Sequence, residues 1–252
     1  MPPLVTHMVA ARRAAAQLAP EVADGGAGEY LLGATSPDIR VLTGWERART
    51  HFFDLESEEH QDSVAKFFEA HPQLRDASAV SAGTRAWTCG FLTHIVMDEI
   101  YITDLYRPYF GRRSRMGGTE RANLLDRVLQ YELDRRERED QESMAELRGA
   151  LFACAIDIDS GFIDREMLEQ WRDVSASISE HPPDWERFSY IASRHLKRVG
   201  IQTESDYQDF LDEIPEMLEE SLRSVGAAEV EAFFERVTER SVACLREYLG
   251  CP

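Results

Sequence analysis

Apolar positions recur at helical spacing along almost the whole chain, and almost nowhere do they alternate with period two. Thr6 is placed to cap a first helix running to about Leu18, with Pro20 closing it. Residues 21–50, rich in glycine and carrying Pro37, read mostly as loop and short helix. Helical period returns over 57–70, where Val64, Phe67 and Phe68 share a side and His71-Pro72 ends the run. A long helix is expected from Ala82 to Tyr106, stopped by Pro108. After the basic loop 110–118, a helix over 119–142 carries the stripe Leu124, Leu125, Val128, Leu129 and Leu133, its charged side a solvated face. Further helices fit 143–156, 161–179, 184–198, 206–223 and 226–249. With no internal repeat and no low-complexity linker, the expected architecture is all-α, one domain over 1–252.

The apolar run "FLTHIVMDEIY", residues 91–101, holds a histidine and an aspartate four apart. At that spacing His94 and Asp98 lie on one helix face with Cβ atoms roughly 5–6 Å apart, within reach of one ion. Phe91, Leu92, Ile95, Val96, Met97 and Ile100 surround them, so the carboxylate must be paired, hydrogen-bonded or metal-bound. Such a pair can also simply satisfy itself. Asp38 follows a Ser-Pro turn in "LLGATSPDI", His51 precedes two phenylalanines in "RTHFFD", and His7 opens the first helix in "VTHMVA". Singly, each has an ordinary reading as a turn aspartate, a half-buried histidine or a cap.

Taken in order, His7, Gly33 to Pro37-Asp38, Thr50-His51-Phe52 and His94-xxx-Asp98 resemble the zinc-dependent phospholipase C family, related in fold to S1/P1-type nucleases. The resemblance covers about residues 5–105. It implies an all-helical bundle with a metal site built from residues 7–104 and a helical scaffold over 119–252. It implies a first metal position at Asp38, His51, His94 and Asp98. It also implies a second at His7 and the bridging Asp98, completed in the family by the mature N-terminal residue. The expected cofactor is zinc, one or two ions, with iron or manganese compatible with the same nitrogen and oxygen donors. The implied chemistry is metal-dependent hydrolysis of a phosphoester in a small, even anionic, substrate, with Asp38 as candidate base and Asp98 as bridge.

The chain departs from the family at its third metal position. Asp104 stands where a histidine is expected, and no histidine has glutamate four residues on. Glu56, His60, Asp104, Glu132 and Asp134 are the conceivable substitutes, each read first as a surface residue. Ile39 follows the loop aspartate where choline-lipid-cleaving members carry an aromatic. Alternative readings are a relative using the metal as Lewis acid in a lyase or cyclase reaction, and a non-catalytic binding module clamped by metal.

Net charge is −18, from 46 acidic and 28 basic side chains, which disfavours nucleic acid and anionic membranes as partners. Arg12 and Arg13 interrupt the N-terminal apolar run, and no stretch has the 18 or so apolar residues of a membrane span. The expectation is a cytoplasmic protein without stable membrane insertion. Cys89, Cys154, Cys244 and Cys251 form no CxxC and are expected as free thiols.

Overall fold

A computed structural model describes residues 2–18, 26–57 and 59–251, and no strand occurs among them. The fold is all-α. The helices are α1 (Leu4–Ala15), α2 (Ala27–Thr35), α3 (Arg40–Thr43), α4 (Ala48–His51), α5 (Ser63–Ala70) and α6 (Ala82–Ile100). They continue with α7 (Glu120–Glu137), α8 (Gln141–Phe152), α9 (Arg165–Ile178), α10 (Phe188–Ile191), α11 (Ser193–Arg198), α12 (Glu204–Val225) and α13 (Ala227–Leu249). Among the described residues, no helix is long and apolar enough to cross a membrane. All four cysteines are free, with Cys89 and Cys154 buried.

Helix α6 organises the molecule. Ser81 caps it by accepting a hydrogen bond from the Thr84 amide at 3.1 Å, and nearly every residue from Gly83 to Ile100 is buried. One apolar core gathers on its first half, with Trp87, Phe91 and Ile95 against residues of α1, α2, α8 and α9. A second begins at Val96 and takes in Met97, Ile100, the leucines of α7 and the inner faces of α12 and α13. His94 and Asp98 therefore lie where the two cores meet on one helix.

Three elements differ from the sequence expectation. Helix α1 begins at Leu4 behind Pro3 with no side-chain cap. Thr6 instead donates from both its amide and its hydroxyl to Asp134 Oδ1, at 3.1 and 3.3 Å, tying α1 to α7. The expected stop at Pro20 lies outside the described residues. Within 21–50, read as mostly loop and short helix without placing either, "AGEYLLGAT" forms α2; it is buried on almost every side, so it shows no amphipathic period.

Pro108 does not end the long helix. After Ile100 the chain widens into a π-helical segment, Tyr101–Phe110, that contains the proline and closes with the Gly111 amide on the Tyr106 carbonyl at 2.7 Å. Proline has no N–H to give, and the wider winding accommodates it.

Candidate metal centre

Two glycines bring the site's elements together. A Cβ on Gly33 would stand 2.0 Å from the Trp87 carbonyl oxygen, and one on Gly90 would stand 1.9 Å from that of Tyr30. Helices α2 and α6 thus touch backbone to backbone. That contact sets the Ala34 carbonyl 2.7 Å from His94 Nδ1. The turn after α2 is pinned by two indoles: Trp87 donates to Ser36 Oγ at 2.9 Å and Trp171 to Thr35 Oγ1 at 3.1 Å. The short 3₁₀ turn Ser36–Ile39 then carries Asp38 into place. His51 ends α4, next to Phe52 in the left-handed region at φ 54°. His7 comes from the first turn of α1.

All five sequence candidates converge. Asp98 Oδ1 lies 3.5 Å from His7 Nε2, while Oδ2 lies 3.4 Å from His51 Nε2 and 3.6 Å from His94 Nε2. Asp38 Oδ1 lies 3.3 Å from His51 Nε2. The rings of His7 and His94 stack at 3.6 Å. Donor atoms of His7, His94 and Asp98 all fall within 4.8 Å of one another, as do those of Asp38, His51 and His94. Except for Asp38, whose side chain is 22% exposed, these groups are buried.

The contacts are close but do not satisfy the groups. His7 Nδ1 and Nε2, His51 Nε2, His94 Nε2 and Asp98 Oδ1 are buried with no hydrogen-bond partner in the protein. The tautomers explain why. A carbonyl only accepts, so His94 Nδ1 must carry the proton and Nε2 presents a lone pair to Asp98. Thr50 Oγ1 sits 2.9 Å from His51 Nδ1 and also reaches the Arg47 carbonyl at 3.5 Å; donating to that carbonyl leaves it accepting from Nδ1–H. His51 Nε2 then also turns a lone pair toward two carboxylates. Lone pairs facing carboxylates at this range repel unless a proton or a metal ion lies between them.

Burial resists protonation of two of the three rings. Burial, reinforced by His94, pushes the His7 imidazole below its ordinary range. Burial pushes His51 down to about 4, against the pull of Asp38. His94 alone moves up: burial opposes its charge, but Asp98 and Asp38 outweigh it. Burial also works against the Asp98 carboxylate, yet His7 and His94 hold it well below the usual carboxylate range. Asp38 is likewise depressed, His51 and His94 overcoming the effect of burial. Neutral imidazole nitrogens and ionised carboxylates are what a zinc-type ion binds, and they could hold one here.

Sequence reasoning missed Arg47. Its Nη2 lies 3.3 Å from Asp98 Oδ2, and its Nε is buried without a partner. Burial weakens the guanidinium's hold on its proton, opposed by Asp98 and Asp38. The one available signal was its position four residues before His51, but "GWERART" reads as an ordinary charged surface run.

None of the conceivable substitute ligands joins the centre. Glu56 is exposed and lies 3.4 Å from Arg112, and Asp104 pairs with Arg236 at 2.8 Å. His60 is exposed. Glu132 and Asp134 are buried, contrary to the surface expectation. Arg135 and Arg136 satisfy the first, while Thr6 and Arg138 satisfy the second. Met1 lies outside the described residues.

Residues 6–101 match the family model described as zinc dependent phospholipase C, a stretch that spans the whole cluster from His7 to Asp98. No curated protein and no solved structure matches the chain.

Proposed function

We propose that this chain, whose residues 6–101 match the zinc-dependent phospholipase C family model, is a metal-dependent hydrolase that cleaves a phosphoester bond in a small anionic substrate. The observation that carries the reading is the convergence of unsatisfied imidazole nitrogens and carboxylate oxygens in two overlapping triads that share His94. Asp38, His51, His94 and Asp98 would hold the principal ion. His94 has only Nε2 to give, so His7 and Asp98 Oδ1 alone remain for a second, and one tightly held ion is the expected content.

A divalent ion bound there supplies Lewis acidity that polarises a phosphoryl oxygen and acidifies an attacking water. The protein groups do the rest. Asp38 and Arg47 are the members nearest solvent, with side chains 22% and 16% exposed, so substrate meets the centre on their side. Asp38 stays ionised at neutral pH and would accept a hydrogen bond from the attacking water, aiming that water's lone pair at phosphorus. With neutral imidazoles, two carboxylates and one guanidinium leave the centre a single negative charge. A divalent ion turns that into a single positive one, and Arg47 makes the difference between neutral and attractive for a phosphate. Arg47 also borders a cavity of about 560 Å³ walled by Phe52, Phe53 and Lys66, large enough for a small substrate. Ile39 is fully buried and offers nothing to a choline headgroup.

The test is elemental analysis of protein purified without a histidine tag, beside hydrolysis of an aryl phosphodiester. About one zinc-type ion per chain together with turnover supports the reading. A tightly held ion without turnover transfers the site to non-hydrolytic Lewis-acid chemistry, and one whose removal only melts the fold makes it a structural clamp. Arg47→Gln should keep the ion and lower kcat/KM by about 10–100-fold, the cost of one lost charged contact to a phosphoryl group. Arg47→Lys should recover part of that loss, because the charge returns without the fork. Unchanged kinetics in Arg47→Gln would remove the guanidinium from the mechanism.

A further inference from the structure

We infer that the cleft beside the π-helical segment is a second binding site, built for a phosphate-bearing small anion and distinct from the metal centre. The cleft has a volume of about 480 Å³ and is lined by Arg107, Arg112, Arg113, Arg127, Arg198 and His195. Five guanidinium groups around one hollow run against the charge of a chain whose net balance is −18. They arrive from separate parts of the sequence: the π-helical segment, the 110–118 loop, α7 and α11.

Among the described residues that line the hollow, the guanidiniums outnumber the carboxylates. Three carboxylates line the same hollow, Glu56, Glu120 and Asp126. Glu56 to Arg112 and Glu120 to Arg198 are exposed contacts at 3.4 Å, of the kind that contributes little and gives way readily to a better anion. Asp126 is buried and engaged elsewhere, accepting from Tyr101 Oη at 2.6 Å and Gln130 Nε2 at 2.7 Å. His195, a half-buried lining residue, has its Nδ1 buried with no hydrogen-bond partner.

The backbone contributes as well. π-Helical winding puts an extra residue in each turn and often marks binding sites. Here it delivers Tyr101, Ile102, Tyr106 and Arg107 to one cleft wall. Guanidinium forks match the paired oxygens of phosphate, which a lone carboxylate or a neutral ligand would leave partly unanswered. Leu55 and Glu56 line both this cleft and the cavity at Arg47, so the bound anion would sit next to the centre and not within it.

Titration calorimetry with inorganic pyrophosphate, on the full chain stripped of metal by chelation, tests the inference apart from the hydrolase reading. One saturable site is expected. Arg198→Glu should weaken it by roughly tenfold or more, the effect of replacing one charge-assisted contact by repulsion. Arg223→Glu makes the same charge change at an exposed position of α12 and should stay within roughly twofold. Arg113→Glu is the second cleft variant, expected to follow Arg198→Glu should that protein fold poorly. Absence of saturable binding overturns the site, as does an equal loss in Arg223→Glu or full binding in both cleft variants. A metal-free protein that binds pyrophosphate but never hydrolyses an ester when reloaded would keep this site and sink only the hydrolase.

Discussion

Asp98→Asn should strip the protein of its metal ion and lower phosphodiester hydrolysis by about three orders of magnitude, several kcal/mol of lost transition-state stabilisation. The substitution is nearly isosteric, so the apolar packing of Val96, Met97 and Ile100 around it is preserved. What changes is charge and lone pairs. Asp98 is the one residue whose two oxygens face all three imidazoles and Arg47 together. An amide keeps one acceptor and turns a donor toward ring nitrogens or a guanidinium. With the carboxylate gone, Asp38 is the only anionic ligand left, and the guanidinium at 3.3 Å becomes a repulsive neighbour for any divalent cation. Metal content per chain after dialysis, read beside the helical circular dichroism signal, decides the matter. Loss of metal from a chain that remains helical is the expected outcome. Retention of both metal and turnover would show that the ion is held elsewhere, and the centre would reduce to a buried polar cluster.

The candidate site was legible in the sequence to the extent that its proposed ligands are rare residues in apolar company. A histidine and an aspartate inside "FLTHIVMDEIY" must answer for their burial, and the ordered recurrence of His7, Asp38 and His51 pointed to a shared partner. Arg47 gave no such signal, since arginine is at home on any surface. It becomes a site residue only because α4 and the turn carrying Asp38 fold against α6. Helix α2 could not be placed within 21–50 for the opposite reason. A segment buried on all faces has no polar stripe to set its period, and its two glycines imitate loop composition. The basic cleft was half visible: Arg112 and Arg113 stood out as a loop, but their association with Arg107, Arg127 and Arg198 exists only in three dimensions. The π-helical segment follows from no propensity rule, because Pro108 reads as a helix stop wherever ordinary α winding is assumed.

The glycines of α2 and α6 lead to the second large expectation. Gly90→Ala should destabilise the protein by about 1–3 kcal/mol and loosen its metal, although alanine is the better helix former. A Cβ at that position would come 1.9 Å from the Tyr30 carbonyl oxygen and 2.6 Å from the Ala34 amide nitrogen, both backbone atoms that cannot swing aside. The helices must separate by roughly an ångström or more to restore ordinary contact. Separation carries away the Ala34 carbonyl that fixes the His94 tautomer and the turn that presents Asp38. A ring nitrogen that loses its outer partner binds metal about 10–100-fold more weakly. Gly149, inside α8, supplies the comparison: no heavy atom lies within 4 Å of a Cβ there, so Gly149→Ala should be neutral or stabilise by about 0.5–1 kcal/mol. Thermal melts of both variants, each with metal and with chelator, separate the two effects. If Gly90→Ala melts like the wild type and keeps its ion, α2 and α6 are not in backbone contact, and the geometry that unites Asp38 with His94 loses its cause.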